Sequence, residues 1–240
     1  MASSGGAQNA AVAPARGSTG DLHTLAVGTG HEVSARLLLP PAARACYVLA
    51  HGAGAGMTHP FMAAIAGALA DRGIATLRYQ FPYLERGTRR PDPPALCHAT
   101  VRAAVVAAAR LAPALPLFAG GRSFAGRMTS QAQAAEPLSG VRGLAFLGFP
   151  LHPAGKPSQE RAEHLAGVKI PLLFLQGARD ALAERALIED LMQRLGARAS
   201  LYLIADADHG FHVPARTGRN DAAVRSEIFA VLARWMDSLL

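Results

Sequence analysis

Residues 117–126 read LFAGGRSFAG, an apolar run that breaks at Gly120-Gly121 and continues past Ser123 into a helix-like stretch. A serine on a tight strand-to-helix turn holds its hydroxyl clear of the sheet edge, and that turn needs small neighbours because strands and helix crowd it. Gly121-x-Ser123-x-Ala125 fits this requirement as a variant of G-x-S-x-G, with Gly126 following the alanine that replaces the last glycine. The same turn aims the first N–H groups of the helix at the space above the hydroxyl, where they can hold an oxyanion. Taken alone, the pattern equally describes a glycine-rich turn whose serine caps a helix. It lacks the lysine and the spacing of a phosphate-binding loop.

A serine hydroxyl needs a base, and the base needs an orienting acid. Two later apolar runs end in suitable residues: the first is followed by Gly177-Ala178-Arg179-Asp180, the second by Ala205-Asp206-Ala207-Asp208-His209-Gly210. The chain order Ser123, Asp180, His209 is the order of the α/β-hydrolase triad, with each member after a strand. His212 is the rival base, but His209 lies in the first tight turn after the strand. Asp206 and Asp208 are nearer in sequence, yet acids on one short loop rarely reach around an imidazole, and a solvated turn suits them better. His98 and His164 fall on helical stretches, with exposed or capping roles expected.

A second oxyanion donor is expected in the loop after an earlier strand. That loop is His51-Gly52-Ala53-Gly54-Ala55-Gly56, whose glycines let backbone approach a substrate. The oxyanion N–H groups are assigned to Ala53 and Phe124, with His51, Gly52 and Gly54 shaping the loop. His59 precedes a proline that starts a helix. No histidine here has the company of a metal site, and no metal or cofactor is expected.

The elements that must position these residues follow from patterning. Residues 22–27 and 32–39 read as a hairpin around Gly28-Thr29-Gly30. Continuous apolar runs at 45–50, 74–79, 115–119, 141–147, 170–176 and 199–204 suit strands buried on both faces of a parallel sheet. Helices are predicted over 60–72, 95–111, 125–135, 158–166, 181–195 and 222–239, and loops over 81–94 and 149–157. Such alternation implies right-handed βαβ units in a doubly wound, mostly parallel sheet. Ligands then bind beyond the carboxyl ends of the strands. No repeat and no second domain is evident, so residues 21–240 read as one domain after a disordered tail at 1–20.

Composition supports that picture. Half of the 240 residues are hydrophobic and 17% are charged, enough to bury a large core. The net charge of +7 raises the question of nucleic acid, but the arginines are scattered, and 6% aromatics is thin for base stacking. Neither nucleic acid nor membrane is expected as a partner, and no signal-peptide pattern is present, which leaves a cytoplasmic location by default. Cys46 and Cys97 read as small buried residues. Arg86, Arg89 and Arg90 follow a strand, and Arg122 and Arg179 flank the serine and the acid. These arginines form a candidate substrate rim for anionic acyl groups, with surface solvation or structural pairing as the simpler role.

The segments HGAGAGMTHPFM, LRYQFPYLERGTRRPDPP, GGRSFAGRMTSQ, GFPLHPAGKP, IPLLFLQGARDAL and DADHGF resemble the α/β-hydrolase superfamily over about residues 45–240. More narrowly, they are similar to a small branch of it near dienelactone-hydrolase-like proteins. The resemblance implies Ser123 as nucleophile, Asp180 as acid, His209 as base and an oxyanion loop at 51–54. It implies a serine hydrolase for a small carboxylic ester, lactone or thioester. The gap between Leu147 and Ile170, about 20 residues, is too short for a large cap. The other reading is a non-catalytic interaction module that keeps the fold, as some relatives in this branch are thought to be.

Overall fold

In Ala45–Ala50, the sequence ACYVLA has no polar residue to offer solvent, and all six residues are buried. A computed structural model describes residues 20–240 of the chain, so the tail expected at 1–20 lies, except for Gly20, outside the described residues. Eight strands form one sheet: β1 (Asp21–Val27), β2 (His31–Leu38), β3 (Ala45–Ala50), β4 (Ile74–Tyr79), β5 (Leu117–Arg122), β6 (Val141–Leu147), β7 (Leu172–Gly177) and β8 (Ala199–Ile204). Their order is β1-β2-β4-β3-β5-β6-β7-β8. The β1–β2 and β2–β4 pairs are antiparallel and the rest parallel. The expected mostly parallel, doubly wound architecture is the one observed.

Alternation along the strands divides the interior into two cores. Tyr47 and Leu49 of β3 point to one face, where they join Met62 and Ile65 of α1 (Pro60–Ala70) and Ile228 and Leu232 of α6 (Asp221–Asp237). Cys46, Val48 and Ala50 point to the other. That face of the sheet is covered by α3 (Pro94–Leu111), α4 (Phe124–Ala135) and α5 (Arg185–Leu195). Both cysteines are free and buried.

The differences from the expected elements have local causes. Residues 81–94 contain a short helix, α2 (Pro82–Glu85), with Pro82 in its first turn. The stretch expected as a helix at 158–166 is a run of 3-10 turns over Glu160–Gly167. Helix α5 begins at Arg185 because Asp180 Oδ1 accepts from the Leu182 N–H at 2.8 Å and holds the preceding residues in a turn. Strand β5 runs three residues further toward Ser123 than the apolar run at 115–119, through Gly120-Gly121 to Arg122. Between β6 and β7 lies only the run of 3-10 turns, and among the described residues no large cap covers the sheet edge. Among the described residues no helix is long and apolar enough to cross a membrane.

Candidate active site

Ser123 sits at φ +50°, ψ −116°, a conformation costly for a residue with a Cβ, and the chain turns there from β5 into α4. The strained turn is held from both sides. The Ser123 N–H donates to the Leu147 carbonyl at 3.1 Å, and its carbonyl accepts from the Arg127 N–H. The two glycines before it are structurally required. A Cβ on Gly120 would lie 1.9 Å from the Ala145 carbonyl oxygen, and one on Gly121 would lie 2.3 Å from that of Ala50. Past the serine, Ala125 is buried without conflict. The tight approach falls on Gly126, where a Cβ would lie 3.1 Å from both the Gly121 carbonyl oxygen and the Phe146 ring. This is why alanine can stand in the last place of the G-x-S-x-A pattern.

Strands β7 and β8 bring the other two residues to the same edge. The Ser123 hydroxyl lies 2.8 Å from His209 Nε2, and His209 Nδ1 lies 2.6 Å from Asp180 Oδ2. A carboxylate only accepts, so Nδ1 carries the proton and Nε2 is left to accept from the serine hydroxyl. Asp180 is buried, and its charge is met by donors: Leu182 N–H on Oδ1, and His209 and Gln176 Nε2 on Oδ2. Gln176 is fixed in turn, its Oε1 accepting from the Phe149 N–H at 2.8 Å. The turn bearing His209 packs against β7 at Gly177, where a Cβ would lie 2.3 Å from the Asp208 carbonyl oxygen.

The glycine loop after β3 lies over the serine. His51 is fully buried, its Nδ1 donating to the Gly52 carbonyl at 2.8 Å and its Nε2 accepting from the Phe81 N–H at 3.1 Å. Burial pushes its pKa down to about 4, only partly opposed by the bond to Gly52, so the ring is neutral. Tyr83 donates from its hydroxyl to the Ala53 carbonyl at 2.9 Å, and Gln80 Oε1 accepts from the Met57 N–H at 2.9 Å. Among the described residues, the Ala53 and Phe124 N–H groups have no hydrogen-bond acceptor in the fold. Tyr83, Gln80 and Gln176 carry no signal in the sequence, because each has a backbone partner more than 20 residues away along the chain.

A cavity of about 470 Å³ opens above Ser123. Its walls include Gly52, Ala53 and Gly54 of the loop, apolar Phe61, Met62 and Leu182, and Arg122, His59 and His209. His59 caps α1, its Nδ1 accepting from the Phe61 N–H at 3.2 Å.

The remaining candidates are placed elsewhere. His212 is exposed and paired with Asp221 at 2.9 Å, which raises its pKa. Asp208 organises its own turn, with Oδ1 accepting from the Gly210 and His212 N–H groups. His98 and His164 contact Gln131 and Ser130 on α4. The expected rim of arginines needs correction. Arg86 and Arg90 line a separate depression with Thr88 and Asp92, and Arg86 is ion-paired with the buried Asp92. Arg89 is exposed and, like them, does not line the cavity over Ser123, and Arg179 points to solvent. Arg122 does line it, but its Nη1 donates to the Leu147 carbonyl at 3.0 Å and its Nη2 to the His209 carbonyl. Among the described residues, no cluster of three or more His, Cys, Asp or Glu side chains could hold a metal ion.

An eight-stranded, mostly parallel sheet with a serine on the strand-to-helix turn after β5 defines an α/β-hydrolase fold. Residues 43–237 match the family model described as an alpha/beta hydrolase domain, and the chain belongs to that family. The solved structures it resembles include dienelactone hydrolase from Anabaena variabilis, at 21% identity and a TM-score of 0.74 over 92% of this chain and 97% of that one. A serine hydrolase without a lid from Xanthomonas campestris matches at 20% identity and a TM-score of 0.69, over 93% and 98% of the two chains. The esterase domain of a Rhodothermus marinus protein matches at 18% identity and 0.68, over 90% and 96%.

Proposed function

We propose that the protein is a serine hydrolase that cleaves small ester-type substrates, whether carboxylic esters, lactones or thioesters, through an acyl-enzyme on Ser123. The observation that carries this reading is the continuous path from Ser123 Oγ to His209 Nε2 at 2.8 Å and from His209 Nδ1 to Asp180 Oδ2 at 2.6 Å. It agrees with the esterase and dienelactone hydrolase among the similar structures.

In this mechanism His209 Nε2 takes the proton of Ser123 as its oxygen attacks the substrate carbonyl. Asp180 holds the ring in the productive tautomer and offsets the charge of the imidazolium. The N–H groups of Ala53 and Phe124 receive the oxygen as it becomes negative. His209 then returns the proton to the leaving group, and the acyl-serine forms. Water, deprotonated by His209, attacks that acyl group, and its collapse frees the acid and restores the serine. Every step uses groups of this chain and water alone.

The test is labelling with a fluorophosphonate probe in wild type and in Ser123→Ala. Wild type is expected to label and the variant not. Labelling that persists in Ser123→Ala removes Ser123 from the mechanism. Well-folded wild type that neither labels nor hydrolyses 4-nitrophenyl esters is the outcome of an interaction module that keeps the fold.

A further inference from the structure

We infer, building on the reading of Ser123 and His209 above, that Arg122 is a positioning residue: its guanidinium ties the backbone of His209 to the strand end that carries the nucleophile. The Leu147 carbonyl accepts both the Ser123 N–H at 3.1 Å and Arg122 Nη1 at 3.0 Å. Arg122 Nη2 donates to the His209 carbonyl. One carbonyl at the end of β6 is thus the shared reference for the nucleophile and, through the guanidinium, for the base.

The surroundings are shaped around this cation. It rests against two aromatic rings, 5.6 Å from the centroid of Phe61 and 5.1 Å from that of Phe211. Gly148, at φ +72°, leaves it room: a Cβ there would lie 2.5 Å from Arg122 Nη1 and 3.3 Å from His209 Cε1. A Cβ on Gly52 would touch the Arg122 stem at 3.5 Å. Burial pulls the arginine pKa down to about 10, opposed by Asp180 and Asp208, so the side chain stays charged at neutral pH. Arginine is required by shape, since a planar fork can reach two carbonyls at once and a lysine ammonium on a flexible stem cannot fix both. The turn bearing His209 begins at the edge strand β8 and is also held by the Arg179 N–H on the Ala207 carbonyl, by Gly177 packing and by the Asp180 bond; the fork adds the tie that runs from the His209 carbonyl itself to the strand end carrying Ser123.

The experiment compares Arg122→Met and Arg122→Lys with wild type in three readouts. These are hydrolysis of a 4-nitrophenyl ester, the rate of fluorophosphonate labelling, and the low-field proton resonance of the His209–Asp180 bond, assigned by its loss in His209→Gln. Misplacement by an ångström from a residue outside the chemistry can cost about 100-fold. Arg122→Met is therefore expected to lose about 10- to 100-fold in kcat with KM nearly unchanged, and to broaden or lose the resonance. Arg122→Lys, which keeps the charge, should restore only part of both and carries the test if the methionine variant does not fold. Wild-type kcat with an intact resonance in both variants overturns the inference. A rise in KM alone also overturns it, since that would place Arg122 on the substrate. If wild type proves inactive, the hydrolase reading fails, and the resonance in the two variants still decides whether Arg122 holds His209.

Discussion

The Tyr83 hydroxyl donates to the Ala53 carbonyl at 2.9 Å, joining the aromatic segment after β4 to the glycine loop after β3. The residue that presents the Ala53 N–H is thereby held, through its own carbonyl, by a side chain 30 residues further along. Tyr83→Phe keeps the ring packing against Phe81 and Phe124 and deletes only this bond. Loss of one such bond is worth about 1 kcal/mol in stability. We expect kcat/KM for ester hydrolysis to fall about tenfold, through a loosened oxyanion donor. Unchanged kinetics would show that the loop holds its shape without Tyr83.

Asp180→Asn should leave the fold intact and cut kcat by about 10⁴-fold, because an amide can present its NH₂ to the ring and favour the wrong tautomer. Steady-state ester hydrolysis checks the rate, and thermal unfolding checks the fold. A loss of less than tenfold would remove Asp180 from its proposed role.

The glycines before Ser123 should show a graded response. Alanine at Gly120 or Gly121 meets a backbone oxygen at 1.9 or 2.3 Å, which no side-chain movement relieves. We expect loss of soluble protein or a drop of more than about 4 kcal/mol. Gly126→Ala meets its neighbours at 3.1 Å and should cost about 1–3 kcal/mol. Urea denaturation gives the order, and equal costs at the three positions would contradict the packing described.

Acid should destabilise the protein before its carboxylates titrate. Burial pushes the pKa values of His51 and His164 down to about 4 from an ordinary 6.5. Between those values the unfolded chain binds protons that the folded chain refuses, so stability present above pH 6.5 is lost as the pH falls toward 4. The buried His51 contributes on the order of 3 kcal/mol to this loss. Urea midpoints at pH 7.5 and 5 measure it, and His51→Gln should flatten part of the slope. A midpoint independent of pH would mean that the ring is solvated.

Neutralising Arg89 and Arg90 together, each to Gln, should change kcat/KM less than about twofold for neutral and for carboxylate-bearing esters, since neither side chain lines the cavity. A selective loss with the charged ester would restore these residues to the substrate path.

The centre of the sheet was legible in the sequence because strands such as β3 and β7 are buried on both faces and stop at glycine or at polar residues, whereas β1 and β2 showed as an alternating hairpin. That Ser123, Asp180 and His209 meet at one edge follows from the alternation itself, since parallel strands joined by helices end on the same side. The direction of Arg122 was not legible. It ends a strand, and what its guanidinium reaches depends on the register of β6 and on where the turn after β8 comes down. Arg86 likewise follows a strand but is turned aside by Asp92, a partner within the same loop. The pattern marked the region of α2 as loop because four residues are too few to show a helical period, although Pro82 after Phe81 is a helix-start signal.

The close packing of the chain between β6 and β7 has a dynamic corollary. Among the described residues, no domain has to swing aside before a small molecule meets the Ser123 hydroxyl, so arrival and departure there are set by diffusion into the bowl and by its apolar walls. On the proposed mechanism, turnover in such a bowl would be paced by chemistry and by product affinity, and it should respond to solvent viscosity only as far as encounter itself does.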